Sequence, residues 1–171
     1  MTRLERPFFE RPTVSVAKDL IGKTMVFGTN RAVITETEAY VGESDPACHA
    51  ARGKTQRNAV MYGKAGVTYV YFIYGMYNCL NFVTEKEGFP AAVLIRGVRM
   101  RGVDAKKLNG PGKLCRFFGI TREHNGVDLT TGEDFYVADT GLSLPFSETP
   151  RIGISAGKEM LWRFLAEVPE S

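Results

Sequence analysis

The chain has 171 residues, 44% of them hydrophobic and 24% charged, with a formal net charge of +3 and a pI near 8.8. That length buries a substantial core without disulfides or metals, and it predicts one domain over residues 1–171. No run is long enough to span a membrane, and there is no signal peptide, internal repeat or low-complexity segment, so a cytoplasmic location is expected.

The first dozen residues are charged and proline-flanked. Thr13 or Ser15 can cap a short helix through Leu20 and Ile21 that Gly22 ends. Met25 to Phe27 predicts a strand and Gly28-Thr29-Asn30 its turn. Arg31 to Tyr40 then alternates, with Val33, Thr35, Thr37 and Ala39 on one face and Ile34, Glu36, Glu38 and Tyr40 on the other. The period of two sets Glu38 beside Tyr40. Two carboxylates in mid-strand fit either a solvated edge or a polar pocket. Residues 42–66 form a loop long enough to carry function. It holds His49 and the basic residues Arg52, Lys54 and Arg57.

Val67 to Phe82 is rich in β-branched and aromatic residues and predicts a β-hairpin with its tip near Tyr74-Gly75-Met76, where Gly75 supplies a positive φ. An aromatic tip can pack back on the core, lodge in a partner protein, or wedge into a DNA base stack. Ala91 to Arg96 predicts a strand with Ala92, Leu94 and Arg96 on one face. Arg96 is either a satisfied surface arginine or one that reaches into a polar site. Residues 99–108 predict helix or loop with four basic side chains.

Pro111 fits the first position of a helix that Gly119 closes, and its glycine-rich start beside Lys113 suits a phosphate. Gly126 to Asp139 predicts turn and strand. Thr149 to Ser155 predicts another strand, and Trp162 to Leu165 docks the tail on the body. The sum is an α+β fold with a mostly antiparallel sheet. The basic clusters permit a polyanionic partner without demanding one. Cys48, Cys79 and Cys115 are scattered and, with only His49 and His124 present, make no zinc spacing, so buried reduced thiols are expected.

Several segments, in order, resemble the alkyladenine (N-methylpurine, or 3-methyladenine) DNA glycosylase family. They are Glu36-Thr37-Glu38-Ala39-Tyr40, His49, Gln56-Arg57-Asn58, the hairpin from Tyr69 to Asn81, Val93-Leu94-Ile95-Arg96, Asn109 to Cys115, and Pro150-Arg151-Ile152-Gly153-Ile154. The likeness runs from about residue 8 to residue 164. It implies a compact α+β domain with a curved, mostly antiparallel sheet and a protruding DNA-wedge hairpin.

The implied activity is monofunctional excision of alkylated purines, of the 3-methyladenine and 7-methylguanine type, and of deaminated hypoxanthine, from damaged double-stranded DNA by base flipping. By likeness, Glu38 is the general base, with Glu36 its rival on the same face, and Arg96 helps hold the water together with backbone near Ile152 to Ile154. Tyr40, His49 and Tyr71 look like walls of the base pocket, Asn81 like the group that crowds normal guanine, and Tyr74 like the minor-groove wedge. Arg52, Lys54, Arg57, Gly112 and Lys113 are implied as DNA phosphate contacts.

No lysine accompanies the pocket motifs as an amine nucleophile, and no metal, organic cofactor or membrane is implied. A monomer in the cytoplasm, on the nucleoid if the cell is bacterial, is expected. The N-terminal extension of larger members is absent, the 101–109 segment is compact and the tail is short, which bears on DNA affinity more than on chemistry. The alternative is a non-catalytic nucleic-acid-binding module of the same fold; a third reading is an α+β domain that uses the hairpin as a binding interface.

Overall fold

The computed structural model describes residues 1–168. In chain order the elements are β1 (Thr2–Arg3), α1 (Arg6–Phe9), α2 (Thr13–Leu20), β2 (Thr24–Phe27), β3 (Asn30–Val41), β4 (Thr68–Ile73), β5 (Tyr77–Val83), β6 (Ala91–Arg99), α3 (Pro111–Phe118), β7 (Phe135–Asp139), β8 (Phe146–Thr149) and β9 (Arg163–Ala166). The strands form one curved antiparallel sheet in the order β1-β7-β2-β3-β6-β5-β4, with β9 joining β8 to β3. The α+β architecture expected from the sequence is the one the chain builds.

β3 is the axis of this sheet. Its first residues pair with β2, Glu36 to Glu38 pair with β9, and β6 follows along its other edge. Midway, Thr35 is unmatched on β3 and then Arg96 is unmatched on β6, so the two irregularities cancel and the register resumes at Thr37↔Ile95. Such a local break re-aims side chains without shifting the whole pairing.

The pleat sorts the residues into two layers. On one face Ile34, Val70, Leu80, Phe82, Val93 and Ile95 meet α2 and α3 in the main core, and Thr37 donates to the Ala17 carbonyl at 2.9 Å. On the other face Tyr69, Tyr71, Cys79, Ala92 and Leu94 form a smaller core under Cys48, Ala50 and Met61 of the long loop. Glu36, Glu38, Tyr40 and Arg96 lie on this second face; Ile34, expected beside the first three, is carried to the main-core face by the irregularity at Thr35.

α3 starts at Pro111 and closes on Gly119 in the left-handed region (φ +72°), as its sequence predicts. The start of α2 differs from expectation. Pro12 takes the cap position, and the Glu85 carboxylate, brought by the β5–β6 connection, accepts from the Thr13 N–H and hydroxyl. The hairpin turn has positive φ at both Tyr74 (+56°) and Gly75 (+64°), the type I′ pattern, with the Met76 N–H donating to the Ile73 carbonyl at 3.1 Å.

Two strand assignments need correction. The strand expected over Thr149 to Ser155 ends at Thr149, and residues 150–157 form turns with positive φ at Gly153 and Gly157. Pro150 cannot donate to a ladder and the two glycines favour reversal. Trp162 to Leu165 does more than dock the tail, since β9 is an integral strand between β3 and β8. Residues 99–108 leave β6 as a loop with one 3₁₀ turn at Ala105–Lys107. The three cysteines are buried and free. No helix among the described residues is long and apolar enough to cross a membrane.

Candidate active site

A cavity of about 410 Å³ opens on the second face of the sheet, between the hairpin, the long loop, the 150–157 turns and the start of α3. Its floor comes from β6 and β5 through Leu94, Arg96, Cys79 and Asn81. Its walls include Tyr40, His49, Tyr69 and Tyr71, and Tyr74 and Lys113 stand on its rim. All four residues implied as pocket walls or base discriminator (Tyr40, His49, Tyr71 and Asn81) thus line one space.

Glu38 lies beneath Tyr40 with no exposed surface. Its Oε2 accepts from the Ile152 N–H at 2.6 Å and its Oε1 from the Tyr40 hydroxyl at 2.8 Å. Arg96 Nη1 stands 3.7 Å from Oε1. Burial raises the Glu38 pKa above its ordinary value; the Arg96 guanidinium, the Ile152 N–H and the Tyr40 hydroxyl oppose that rise, and Glu36 adds to it. The same burial pushes the phenols of Tyr40 and Tyr71 far up, so both stay neutral.

Glu36, the rival base, is committed elsewhere. Its Oε2 accepts from Arg96 Nε at 3.1 Å and from Arg163 Nε at 2.6 Å. Arg96 is thus no surface arginine, because it bridges the two carboxylates. His49 and Tyr71 meet edge to face with centroids 4.2 Å apart, and His49 Nδ1 shares a 2.9 Å hydrogen bond with the Tyr69 hydroxyl. Desolvation of the packed imidazole and the nearby Arg57 guanidinium both lower the His49 pKa, which favours the neutral ring. Asn81 is buried and donates through Nδ2 to the Tyr69 carbonyl at 3.2 Å.

The hairpin tip is not packed back on the core, since Tyr74 is 79% exposed and Met76 68%. Of the residues expected at phosphates, two border the cavity. Gly112 and Lys113 line it, with Lys113 Nζ donating to Asn109 Oδ1 at 3.1 Å. Arg57 donates to the Phe72 carbonyl at 2.6 Å on the outer side of the hairpin, and Arg52 and Lys54 are exposed on the long loop.

Sequence reasoning gave no role to Tyr69, Arg163, Asp45 or Arg151, although Arg151 stands inside a matched motif. Asp45 and Arg151 form a fully buried ion pair 106 residues apart, and nothing in local sequence links them.

The site thus sets a buried carboxylate behind aromatic cavity walls, with an exposed aromatic hairpin beside them. The family described as Methylpurine-DNA glycosylase (MPG) matches residues 7–169. The chain is 57% identical over 162 residues to a protein of Rickettsia rickettsii (strain Sheila Smith), covering 95% of this chain and 88% of that one. It is 58% identical over 161 residues to one of Wolbachia sp. subsp. Brugia malayi (strain TRS), covering 94% and 95%. It is 55% identical over 163 residues to one of Sodalis glossinidius, covering 95% and 96%. All three carry the name "Putative 3-methyladenine DNA glycosylase". The chain belongs to the methylpurine-DNA glycosylase family, whose work is base excision repair of alkylation damage.

Proposed function

We propose that the protein flips 3-methyladenine, and purines of the 7-methylguanine and hypoxanthine type, out of duplex DNA through the minor groove and excises them with water activated by Glu38. The observation that carries this reading is the Glu38 carboxylate, wholly buried yet held by two hydrogen-bond donors and the Arg96 guanidinium beside an aromatic cavity. A carboxylate has about four acceptor sites. The Ile152 and Tyr40 bonds leave the carboxylate acceptor capacity for one water.

That water attacks C1′ of the deoxyribose as the glycosidic electron pair leaves to the purine nitrogen. Glu38 takes the proton, and its raised pKa makes it the stronger base. A purine carrying a methyl group and a positive charge leaves neutral, so the protein need not protonate it; hypoxanthine carries no such charge and takes a proton from solvent as it leaves. The charge of the methylated base suits stacking on the electron-rich faces of Tyr40 and Tyr71, while a neutral His49 does not repel it. Asn81 crowds the exocyclic amine of normal guanine.

Flipping costs a few kcal/mol and is cheapest at a damaged pair. Tyr74 fills the gap left behind and slows the base's return. Arg52, Lys54, Arg57 and the start of α3 at Gly112 and Lys113 hold phosphates. Lys113, tied to Asn109 at the rim, is assigned to a phosphate and not to a Schiff base; borohydride that traps no covalent adduct is the expected result. The enzyme acts as a monomer wherever the cell keeps its DNA.

The test is single-turnover base release from duplexes carrying 3-methyladenine, 7-methylguanine, hypoxanthine or no lesion. Release from the damaged duplexes should fall by about 100- to 10,000-fold in Glu38→Gln while binding persists. Wild-type turnover by that variant removes Glu38 as the base.

A further inference from the structure

We propose that Arg151 is a positioning residue for excision, its buried pair with Asp45 fixing the turn that presents the Ile152 amide to Glu38. The inference rests on the reading of Glu38 as the general base. Arg151 is 4% exposed. Nη1 donates to Asp45 Oδ2 at 2.6 Å and to the Ala39 carbonyl at 3.0 Å, and Nη2 donates to Asp45 Oδ1 at 3.0 Å. The guanidinium carbon lies 4.9 Å from the Tyr40 ring centre and 5.1 Å from that of Trp162. Nε has no acceptor, so the rings are its remaining surroundings.

Asp45 is equally committed. Its Oδ2 accepts from the Val41 N–H at 2.9 Å and its Oδ1 from the Ala47 N–H at 3.1 Å. Gly157 closes the far end of the turn, where an added Cβ would stand 2.7 Å from Arg151 Nη2. β3, the long loop, the 150–157 turn and the segment before β9 therefore meet on one guanidinium.

The Ile152 side chain is 48% exposed, yet its N–H stands 2.6 Å from Glu38 Oε2. The anchor is the residue immediately before it. A buried ion pair contributes little net stability because desolvation offsets its attraction. What it supplies here is placement, of the Ile152 amide on one side and of the Tyr40 ring on the other.

The groups facing Glu38 are Glu36 and Tyr40 from β3, Arg96 from β6 and the Ile152 N–H from the turn. Arg163 of β9 pairs with Glu36 and donates to the Thr149 hydroxyl, Arg151 and Asp45 pair with each other behind Tyr40, and His49 lines the cavity from the long loop. If the turn loosens, Glu38 loses a donor that favours its ionised form. The acid limb of the rate then moves to higher pH. A general loosening of the fold would lower the rate and leave the limb in place.

The experiment compares wild type, Glu38→Gln, Arg151→Lys and the double variant Asp45→Asn/Arg151→Gln, which leaves no buried charge unpaired. Single-turnover release from a 3-methyladenine duplex is followed across pH, with binding to an abasic-analogue duplex in parallel. Both Arg151 variants should lose about 10- to 100-fold in rate at neutral pH, keep their binding, and show the acid limb displaced upward, with Arg151→Lys less affected. A wild-type profile, or a slower rate on an unmoved limb, overturns the proposal. If the double variant does not fold, Arg151→Lys decides by the same readouts. Should Glu38→Gln turn over like wild type, the Glu38 reading itself fails, whatever the Arg151 variants do. If Glu38→Gln is inactive while the Arg151 variants behave as wild type, only the positioning role falls.

Discussion

The hydroxyl of Tyr40 donates to Oε1 of Glu38 at 2.8 Å, so a wall of the pocket and the carboxylate beneath it form one hydrogen-bonded unit on a single strand. Tyr40→Phe keeps the ring and deletes the donor. The ionised form of Glu38 then loses one of its stabilising bonds, and its pKa rises further above the ordinary 4.5. A hydrogen bond to a charged group is worth about 1.5–3 kcal/mol, so the acid limb of base release should move upward by about one pH unit or more. A pH–rate profile checks this. A limb that stays in place or moves down would separate Tyr40 from the ionisation of the base.

Glu38 should also weaken the fold at neutral pH. Its folded-state pKa lies above that of the unfolded chain. Its contribution to stability is therefore complete below the unfolded value and is lost as pH rises through the folded one. Glu38→Gln, which keeps shape and drops the charge, should melt above wild type at pH 8, and the gap should close by pH 4. Equal melting temperatures at both pH values would mean that the buried charge is fully compensated.

Tyr74 combines an exposed ring with a left-handed backbone (φ +56°), a conformation that costs a non-glycine residue about 1–2 kcal/mol. Tyr74→Asn removes the ring and tolerates the backbone; Tyr74→Ala removes the ring and keeps the strain. With base stacking worth about 1–3 kcal/mol, both should lose about 10- to 100-fold in excision from duplex and little from single strands. If only the alanine variant is impaired, the turn and not the ring is what matters.

Gly112 meets the hairpin so closely that an added Cβ would stand 2.5 Å from Tyr77 Cδ1 and 3.1 Å from its Cβ. The second of these atoms cannot swing away. Gly112→Ala should cost about 1–3 kcal/mol of stability, visible as a fall of several degrees in melting temperature. Lys113→Ala, by contrast, should leave melting unchanged and lower the salt dependence of DNA binding by about one counterion. Identical melting for Gly112→Ala and wild type would show that the hairpin base yields.

Local pattern carries a large part of this molecule in the sequence. The alternation from Arg31 to Tyr40 places Glu36, Glu38 and Tyr40 on one face, and Pro111 and Gly119 bracket α3 where they stand. What stays hidden is set by contacts between distant segments. Glu85 caps α2 across 72 residues, a partner no cap rule could supply. Arg163 helps commit the Glu36 carboxylate to an ion pair, yet it lies 127 residues away. The expected strand through Ile152 fails because a run of alternating apolar residues weighs less than Pro150 and two glycines with positive φ. The pKa of Glu38 is equally a property of burial, which no motif encodes.

The pairing of β9 with Glu36 to Glu38 has a consequence for how the enzyme comes into being. β3 is among the first strands made, and the segment that completes its far edge, and brings Arg163 to Glu36, is among the last. A nascent polypeptide that has released β3, the hairpin and α3 from the ribosome still lacks that closing edge. The surroundings of Glu36 and Glu38 are therefore completed late in synthesis, only once β9 is available to pair with β3.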